Sequence, residues 1–268
     1  MPILELCRLV WAPGRGVVGI ALECSKLSSA SRLERGLKKI GAEVLGMIAS
    51  KQSAEAPYSI LLVVDATGHM AEVTGLASKA GAQVLEAIAP GVFVDVVHFP
   101  LRTDPFRAVL MPKPVYKALM KNLREEIGTG ALAFLYHAGY EIGKEVVGAH
   151  SELFELEVDE VVELNKSLFA SLGWGRVVDL SFDSSSGRAT VVIEECFECE
   201  LFRDLGRPAS HFVRGILAGA MSAISGREAF SIEEECIAAG DEHCLFLVET
   251  RGRDRPSSPE REGRRSSF

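Results

Sequence analysis

The sequence contains no apolar run that approaches the roughly 18 to 20 residues needed to cross a membrane. Its first segment, MPILELCRLVWAPGRG, lacks the basic start, the long apolar stretch and the small-residue cleavage site of a signal peptide. Both absences predict a cytoplasmic protein without a membrane span. In the cytoplasm the six cysteines are expected to be reduced or metal-bound, because disulfides are rare in that compartment.

The short motifs of ordinary catalysis are also missing. The sequence has no G-x-S-x-G elbow, no P-loop, no G-x-G-x-x-G after a strand and no H-E-x-x-H. These absences favour a non-enzymatic protein and leave an enzyme as the alternative.

Charge is unevenly distributed along the chain. The last 18 residues hold six arginines against three acidic residues, a net +3, which leaves −11 on residues 1–250 of a chain whose total is −8. Such an acidic body does not favour direct nucleic-acid binding. Residues 251–268 are rich in Pro, Ser and Arg, and we predict that they form a disordered basic tail.

An internal repeat organises the first third of this globular chain. GAEVLGMIA (41–49) and GAQVLEAIA (81–89) match at six of nine positions. Each follows a helical pattern that is itself preceded by a strand, and the last strand, near GVFVDVVHF, is predicted to be extended. The order predicts a ferredoxin-like β-α-β-β-α-β domain over residues 1–100. Together with APGRGVVGIALE, this order resembles ACT domains, which hold small regulatory ligands; the resemblance implies contacts near Gly14 to Val18.

The remainder, residues 101–250, predicts a second α+β domain. Helical patterns cover Lys113–Ile127, Thr129–Val147, Val158–Leu172 and Pro208–Ser225, and a strand hairpin precedes and another follows the last of these. The helices contain many glycines, which lower helix stability unless another element packs closely against them.

GREAFSIEEECIAAGDEHCLFLVE and the preceding HFVRGILAGAMSAISGRE resemble the 4-vinyl reductase domain, also called the predicted hydrocarbon-binding domain. The resemblance extends from about Phe106 to Glu249. Members of that family include archaeal stand-alone proteins, sensor domains of aromatic-responsive transcription activators and a protein associated with bacteriochlorophyll synthesis. The resemblance therefore implies an apolar ligand cavity and a homodimer.

The final hairpin carries two cysteines placed symmetrically about Gly240. In a symmetric hairpin Cys236 and Cys244 lie opposite each other, with Cβ atoms about 4.5 to 5.5 Å apart. Two thiolates at that separation can share one tetrahedral zinc ion. A plain hairpin with reduced thiols is the alternative.

In the transcription-activator members of the family, the zinc takes a Glu, both hairpin cysteines and a Cys at the start of the preceding helix. The resemblance places these ligands at Glu233, Cys236, Cys244 and Ser210. Because Ser is a poor zinc ligand, we predict that His211 beside it is the fourth ligand.

Other assignments of the metal ligands stay open. Cys196 or Cys199 can replace His211, and both can join the hairpin cysteines in a four-thiolate zinc or iron–sulfur site. Residues three apart on a strand face opposite ways, so that site requires a turn in ECFEC. Glu233 likewise requires a bulge, since otherwise Glu234 shares a face with Cys236.

The candidate walls of the ligand cavity are aromatic residues: Tyr136, Tyr140, Trp174 and Phe197. The preferred function is a non-enzymatic sensor of an apolar or aromatic small molecule, acting through a regulatory protein partner. The alternatives are an enzyme or enzyme accessory in tetrapyrrole or aromatic metabolism, and a structural dimerisation or tethering subunit, because the family's fold is related to vesicle-tethering subunits.

Overall fold

The computed structural model describes residues 6–103, 106–183 and 186–251, and the chain divides into two compact units between Val109 and Leu110. Both units combine helices with antiparallel sheets, so the predicted α+β class is confirmed. Apart from Arg251, the predicted basic tail lies outside the described residues.

The first unit is built on a four-stranded antiparallel sheet with two helices. Its elements are β1 (Leu9–Trp11), β2 (Val17–Cys24), α1 (Ser28–Lys39), β3 (Glu43–Lys51), β4 (Tyr58–Asp65), α2 (Met70–Lys79), β5 (Gln83–Leu85), β6 (Val92–Val94), β7 (Arg102–Thr103) and β8 (Phe106–Arg107). The strand order is β3-β4-β2-β5, and Leu37 of α1 and Val73 of α2 pack with Ile20 and Leu62 of the central strands. The internal repeat predicts this element order, whereas the resemblance to ACT domains stays a prediction.

The segment GVFVDVVHF differs from the expected extended last strand. Only Val92–Val94 is a strand there, and it pairs with β1 in a separate two-stranded ribbon. The chain turns at Gly91, whose φ of +72° is left-handed and suits glycine. Phe93 then lies over Gly19, where a Cβ atom would overlap its ring, so the ribbon packs on the sheet through this contact.

The second unit has a run of helices and a four-stranded antiparallel sheet of order β11-β12-β10-β9. The predicted helix over Lys113–Ile127 is present, but its middle turn, Ala118–Asn122, is π-helical. The elements are α3 (Lys113–Lys117), α4 (Leu123–Ile127), α5 (Thr129–Phe154), α6 (Val158–Ser171), β9 (Arg176–Asp183), β10 (Arg188–Glu194), α7 (His211–Ser225), β11 (Ala229–Glu235) and β12 (Cys244–Thr250).

Helices α5 and α7 touch backbone to backbone through glycine. A Cβ atom added at Gly139 or Gly143 of α5 would overlap a carbonyl oxygen of α7. A Cβ atom added at Gly215 or Gly219 of α7 would overlap a carbonyl oxygen of α5. The glycines that weaken both helices therefore allow a close approach that no other residue permits.

The longest helix, α5, has 26 residues and is interrupted by charged side chains. Within the described ranges, no helix combines the length and the apolar character that a membrane crossing requires.

Candidate metal centre and aromatic cluster

Three cysteines and one glutamate meet in the interior of the second unit. The candidate ligand atoms of Cys199, Glu233, Cys236 and Cys244 all lie within 4.8 Å of one another, and all four residues are buried. We call these four residues the thiol–carboxylate group. Three of them are predicted metal ligands, and the fourth member is Cys199 in place of His211.

A bulge in the final hairpin brings Glu233 into the group. The pairing of β11 with β12 shifts between Glu233, which faces Phe246, and Glu235, which faces Leu245. Glu233 is consequently buried, whereas Glu234 is exposed. The bulge that the sequence required for Glu233 is present, and it separates the two candidate carboxylates.

The turn of the same hairpin fixes Cys236. The backbone N–H groups of Ala239 and Asp241 both donate to the Cys236 carbonyl oxygen, at 2.8 and 3.2 Å. The Asp241 carboxylate accepts the Cys236 N–H at 2.7 Å. These three hydrogen bonds hold the first hairpin thiol at the start of the turn.

The segment ECFEC is a turn and not the strand that its alternating pattern suggested. Strand β10 ends at Glu194, and Glu195 has a φ of +54°, which ends the extended conformation. The Glu200 N–H then donates to the Cys196 carbonyl oxygen, and a 3₁₀ turn spans Cys199–Phe202. The turn points Cys199 into the group, and Cys196 hydrogen-bonds with Cys199 and Cys244.

The close approach of these side chains shifts their pKa values. Hydrogen bonds with Cys199 and Cys244 lower the pKa of Cys196 to about 6, while its contacts with the neighbouring thiols raise the pKa of Cys199. Burial raises the pKa of the Glu233 carboxyl to about 7. Several anions cannot share so small and dry a volume without a cation, so the group has the chemistry of a metal site.

Ser210 stands at the position where the resemblance implies a cysteine. Its N–H donates to Glu233 at 3.0 Å, and its buried hydroxyl has no hydrogen-bond partner among the described residues. Cys199 donates its S–H to the other Glu233 oxygen at 3.5 Å. Ser210 therefore orients the carboxylate through its backbone, and Cys199 supplies the additional sulfur.

Glu198 anchors the Cys196–Cys199 segment to the start of α7. Its fully buried carboxylate accepts the N–H groups of His211, Phe212 and Val213 at 2.9 to 3.1 Å. Arg124 donates to it at 2.6 Å and to the Ala209 carbonyl oxygen at 2.7 Å. The negative charge lies at the positive end of the helix dipole, which favours this arrangement.

His211 lies outside the thiol–carboxylate group. Its Nδ1 atom lies 3.2 Å from an Arg214 guanidinium nitrogen. Burial and the charges of Arg124 and Arg214 lower the pKa of His211 to about 4. The ring is thus held neutral against Arg214, and its role as a metal ligand stays a prediction.

Five aromatic rings pack beside the Cys196–Cys199 segment, and we call them the aromatic cluster. Phe197 lies 5.4 Å from Tyr116, 5.8 Å from Trp174 and 6.4 Å from Phe212, measured between ring centroids. Phe169 lies 5.6 Å from Trp174. Trp174 and Phe197 are predicted cavity residues, whereas Tyr116, Phe169 and Phe212 were not identified from the sequence.

The elements described above that hold Glu198, α7, the hairpin and the whole thiol–carboxylate group lie between β10 and β12. Residues 189–250 match the family model of the 4-vinyl reductase domain. The chain carries a 4-vinyl reductase domain. This match confirms the resemblance of the second half of the chain to that family.

Several known proteins resemble the part of the chain that includes the 4-vinyl reductase domain. An uncharacterized protein of Methanocaldococcus jannaschii is 25% identical over 139 residues, 52% of this chain and 76% of that protein. The phenol-responsive sensory domain of the transcription activator PoxR aligns at a TM-score of 0.47 and 22% identity, over 54% of this chain and 77% of that one. A vinyl-4-reductase family protein from M. jannaschii aligns at 0.36 and 20%, over 54% and 85%.

Tyr136 and Tyr140, the other two predicted cavity residues, belong to the contact between α5 and α7, a helix of the 4-vinyl reductase domain. The Tyr140 hydroxyl donates to Ser222 at 2.9 Å. The Arg214 guanidinium lies 5.6 Å from the centroid of the Tyr136 ring. Both tyrosines therefore have protein partners on α7, and neither ring is a member of the aromatic cluster.

A small cavity lies between α5, α6 and the C-terminal end of α7 in the 4-vinyl reductase domain. Its volume is about 80 Å³, and its walls are Val147, Gly148, Ser151, Val158, Val161, Ala223 and Ile224. Ligand pockets for drug-sized molecules are typically about 300 to 1,000 Å³. None of the four predicted cavity residues lines this cavity.

Proposed function

We propose that the second unit is a non-enzymatic sensor that binds an apolar or aromatic small molecule at the aromatic cluster and holds a structural zinc ion in the thiol–carboxylate group. One observation carries the proposal. The segment Cys196–Cys199 supplies Cys199 to the group and Phe197 to the cluster. The state of either site is therefore transmitted to the other through a few covalent bonds.

The donor set suits zinc. Three sulfurs and one carboxylate oxygen are typical ligands of a tetrahedral zinc ion, and the four atoms already lie within 4.8 Å of one another. Four protein ligands leave no position for water or substrate, so the ion would stabilise the fold and would not activate a reactant. The donor set thus supports a structural role.

The aromatic cluster suits a planar apolar ligand. Its rings come from separate parts of the chain, so a small molecule placed among them would bridge those parts. Aromatic rings bind one another in edge-to-face or offset arrangements, which are the arrangements that Tyr116 and Phe169 already make with their neighbours. The Tyr116 hydroxyl adds a polar group that can orient the ligand.

We further propose that the protein acts in the cytoplasm as a homodimer that reports to a regulatory protein partner. Free thiols support the compartment, since all six cysteines are unpaired. Exposed apolar side chains support an association surface; Phe134 and Ile127, near the start of α5, are 62% and 58% exposed.

Native mass spectrometry of the purified full chain tests the proposal. We expect a dimer whose mass includes one zinc ion per chain and a retained small molecule, both of which disappear on denaturation. A spectrum at the calculated mass of the polypeptide, with neither addition, contradicts the proposal. Tandem spectra of the released molecule would identify its chemical class.

Ligand binding to the aromatic cluster can be followed by the fluorescence of Trp174. The chain has two tryptophans, and Trp11 is 74% exposed in the first unit, so Trp11→Phe leaves Trp174 as the single reporter. We expect toluene, phenol or decanoic acid to change the emission in a saturable way. Replacing Phe197 with leucine should weaken the best probe about tenfold, or about 1.4 kcal/mol.

A matched control for Phe197→Leu is Phe134→Leu, because Phe134 is exposed on α5. Phe134→Leu should leave the affinity unchanged. If none of the three probes gives a saturable change, or if both variants respond equally, the aromatic cluster is not the binding site.

A further inference from the structure

The metal centre has one more thiol than a tetrahedral ion requires. The thiol–carboxylate group supplies four ligand atoms, and Cys196 hydrogen-bonds with two of its members, Cys199 and Cys244. A tetrahedral zinc ion that takes all four atoms of the group leaves Cys196 in contact with its ligands but not bound.

The position of Cys196 suits reaction with Cys199. The two thiols are separated by only Phe197 and Glu198, and the Glu200 N–H closes a helical turn on the Cys196 carbonyl oxygen at 3.0 Å. Cysteines with two intervening residues form disulfides readily in redox proteins. The site is buried, but Glu233 keeps 7% of its surface exposed, so the group lies one side chain from solvent.

We propose that the thiol–carboxylate group is a peroxide-sensitive switch in which Cys196 and Cys199 form a disulfide and release the metal ion. The proposal rests on the proposed function, because it takes zinc as the resident ion. A small peroxide is the oxidant, and Cys196 is the resolving thiol.

The reaction is balanced in two steps. The Cys199 thiolate attacks one peroxide oxygen, the O–O bond breaks, and a sulfenic acid and a hydroxide ion form. The Cys196 thiol then attacks the Cys199 sulfur, the S–O bond breaks, and the leaving oxygen takes the Cys196 proton as water. Two sulfurs lose two electrons in total, and the two peroxide oxygens gain them. The zinc ion loses one of its four ligands.

The disulfide also changes the surroundings of the aromatic cluster. Phe197 lies between the two sulfurs and contacts Trp174, and Glu198 lies beside it and caps α7. Shortening the distance between Cys196 and Cys199 must therefore move the Phe197 ring. Oxidation should weaken binding of the ligand, and by linkage bound ligand should slow the release of zinc.

The test treats the zinc-loaded full chain with hydrogen peroxide. Zinc release is followed with a colorimetric chelator, and disulfides are mapped by mass spectrometry after alkylation of free thiols. We expect the release of one zinc ion per chain, together with a peptide that contains the Cys196–Cys199 disulfide. Cys196→Ala should still bind one zinc ion and should release it at least tenfold more slowly. The control Cys24→Ala, in the first unit, should behave as the parent.

Several outcomes overturn the switch. They are no zinc release at a peroxide excess that oxidises Cys24, equal release rates for parent and Cys196→Ala, or loss of zinc from Cys196→Ala before oxidation, which would make Cys196 a ligand. A parent protein purified without metal instead contradicts the zinc in the proposed function. The disulfide map of that parent still decides whether Cys196 and Cys199 react with each other.

Discussion

Gly219→Ala is expected to prevent stable folding of the second unit. A Cβ atom at residue 219 would overlap the carbonyl oxygen of Tyr140, which belongs to the backbone of α5 and cannot rotate away. Relief requires separation of α5 from α7, and the same separation opens the contacts at Gly139, Gly143 and Gly215. We expect destabilisation of more than about 3 kcal/mol, which is the upper end of ordinary overpacking. Domains of this size have only about 5 to 15 kcal/mol in total.

Gly148→Ala is the matched control for this prediction. Gly148 lies within α5, and a Cβ atom there meets no atom within 4 Å. Alanine at that position should stabilise the helix by about 0.5 to 1 kcal/mol, because glycine is the poorer helix former. Urea unfolding followed by circular dichroism measures both variants. Equal midpoints for Gly219→Ala and the parent would show that α5 and α7 do not touch through glycine.

Much of this packing could be predicted, because its signals are local. Glycines in the interior of two helical patterns indicate close approach, and the structure places Gly139 and Gly219 in that contact. The symmetric hairpin around Gly240 likewise indicates that Cys236 and Cys244 meet. In each case a cost visible in the sequence, such as a weakened helix or a required bulge, corresponds to a specific contact.

The choice of Cys199 could not be predicted in the same way. It depends on the left-handed conformation of Glu195, and glutamate gives no local signal for that conformation. The pattern of β10 continues into ECFEC, so sequence reasoning extends the strand and turns Cys196 and Cys199 to opposite faces. The buried Glu198 that holds the turn in place depends on Arg124, 74 residues earlier in the chain.

The aromatic cluster was only half visible for a related reason. Trp174 and Phe197 follow a glycine and a strand end, which marks them as unusual positions, whereas Phe169 and Phe212 fit ordinary helical patterns. Tyr116 lies next to the π-helical turn Ala118–Asn122, and no residue pattern predicts that turn. Residues that meet only in the tertiary structure have no shared spacing along the chain.

Cys199→Ser should remove the zinc ion and lower the thermal stability of the second unit. Structural zinc contributes about 10 to 16 kcal/mol of apparent binding free energy in small domains, and a site with only three ligands retains a fraction of it. The group also keeps Glu233 and two thiols buried together, so loss of the cation leaves their charges uncompensated. We expect a fall of at least about 3 kcal/mol, or about 10 °C in Tm. Cys236→Ser and Cys244→Ser should behave alike.

The variant that decides between the two assignments of the fourth ligand is His211→Gln. If Cys199 is the ligand, His211→Gln keeps one zinc ion, because its ring contacts Arg214 and not the group. If the ligand is His211, the metal contents of Cys199→Ser and His211→Gln are exchanged. A strong chelator supplies the remaining control: it should lower the Tm of the parent to that of Cys199→Ser and leave the Tm of that variant unchanged. Such convergence would show that the stability lost with the thiol is the stability contributed by the metal, since removal of a buried thiol alone would add to the effect of the chelator.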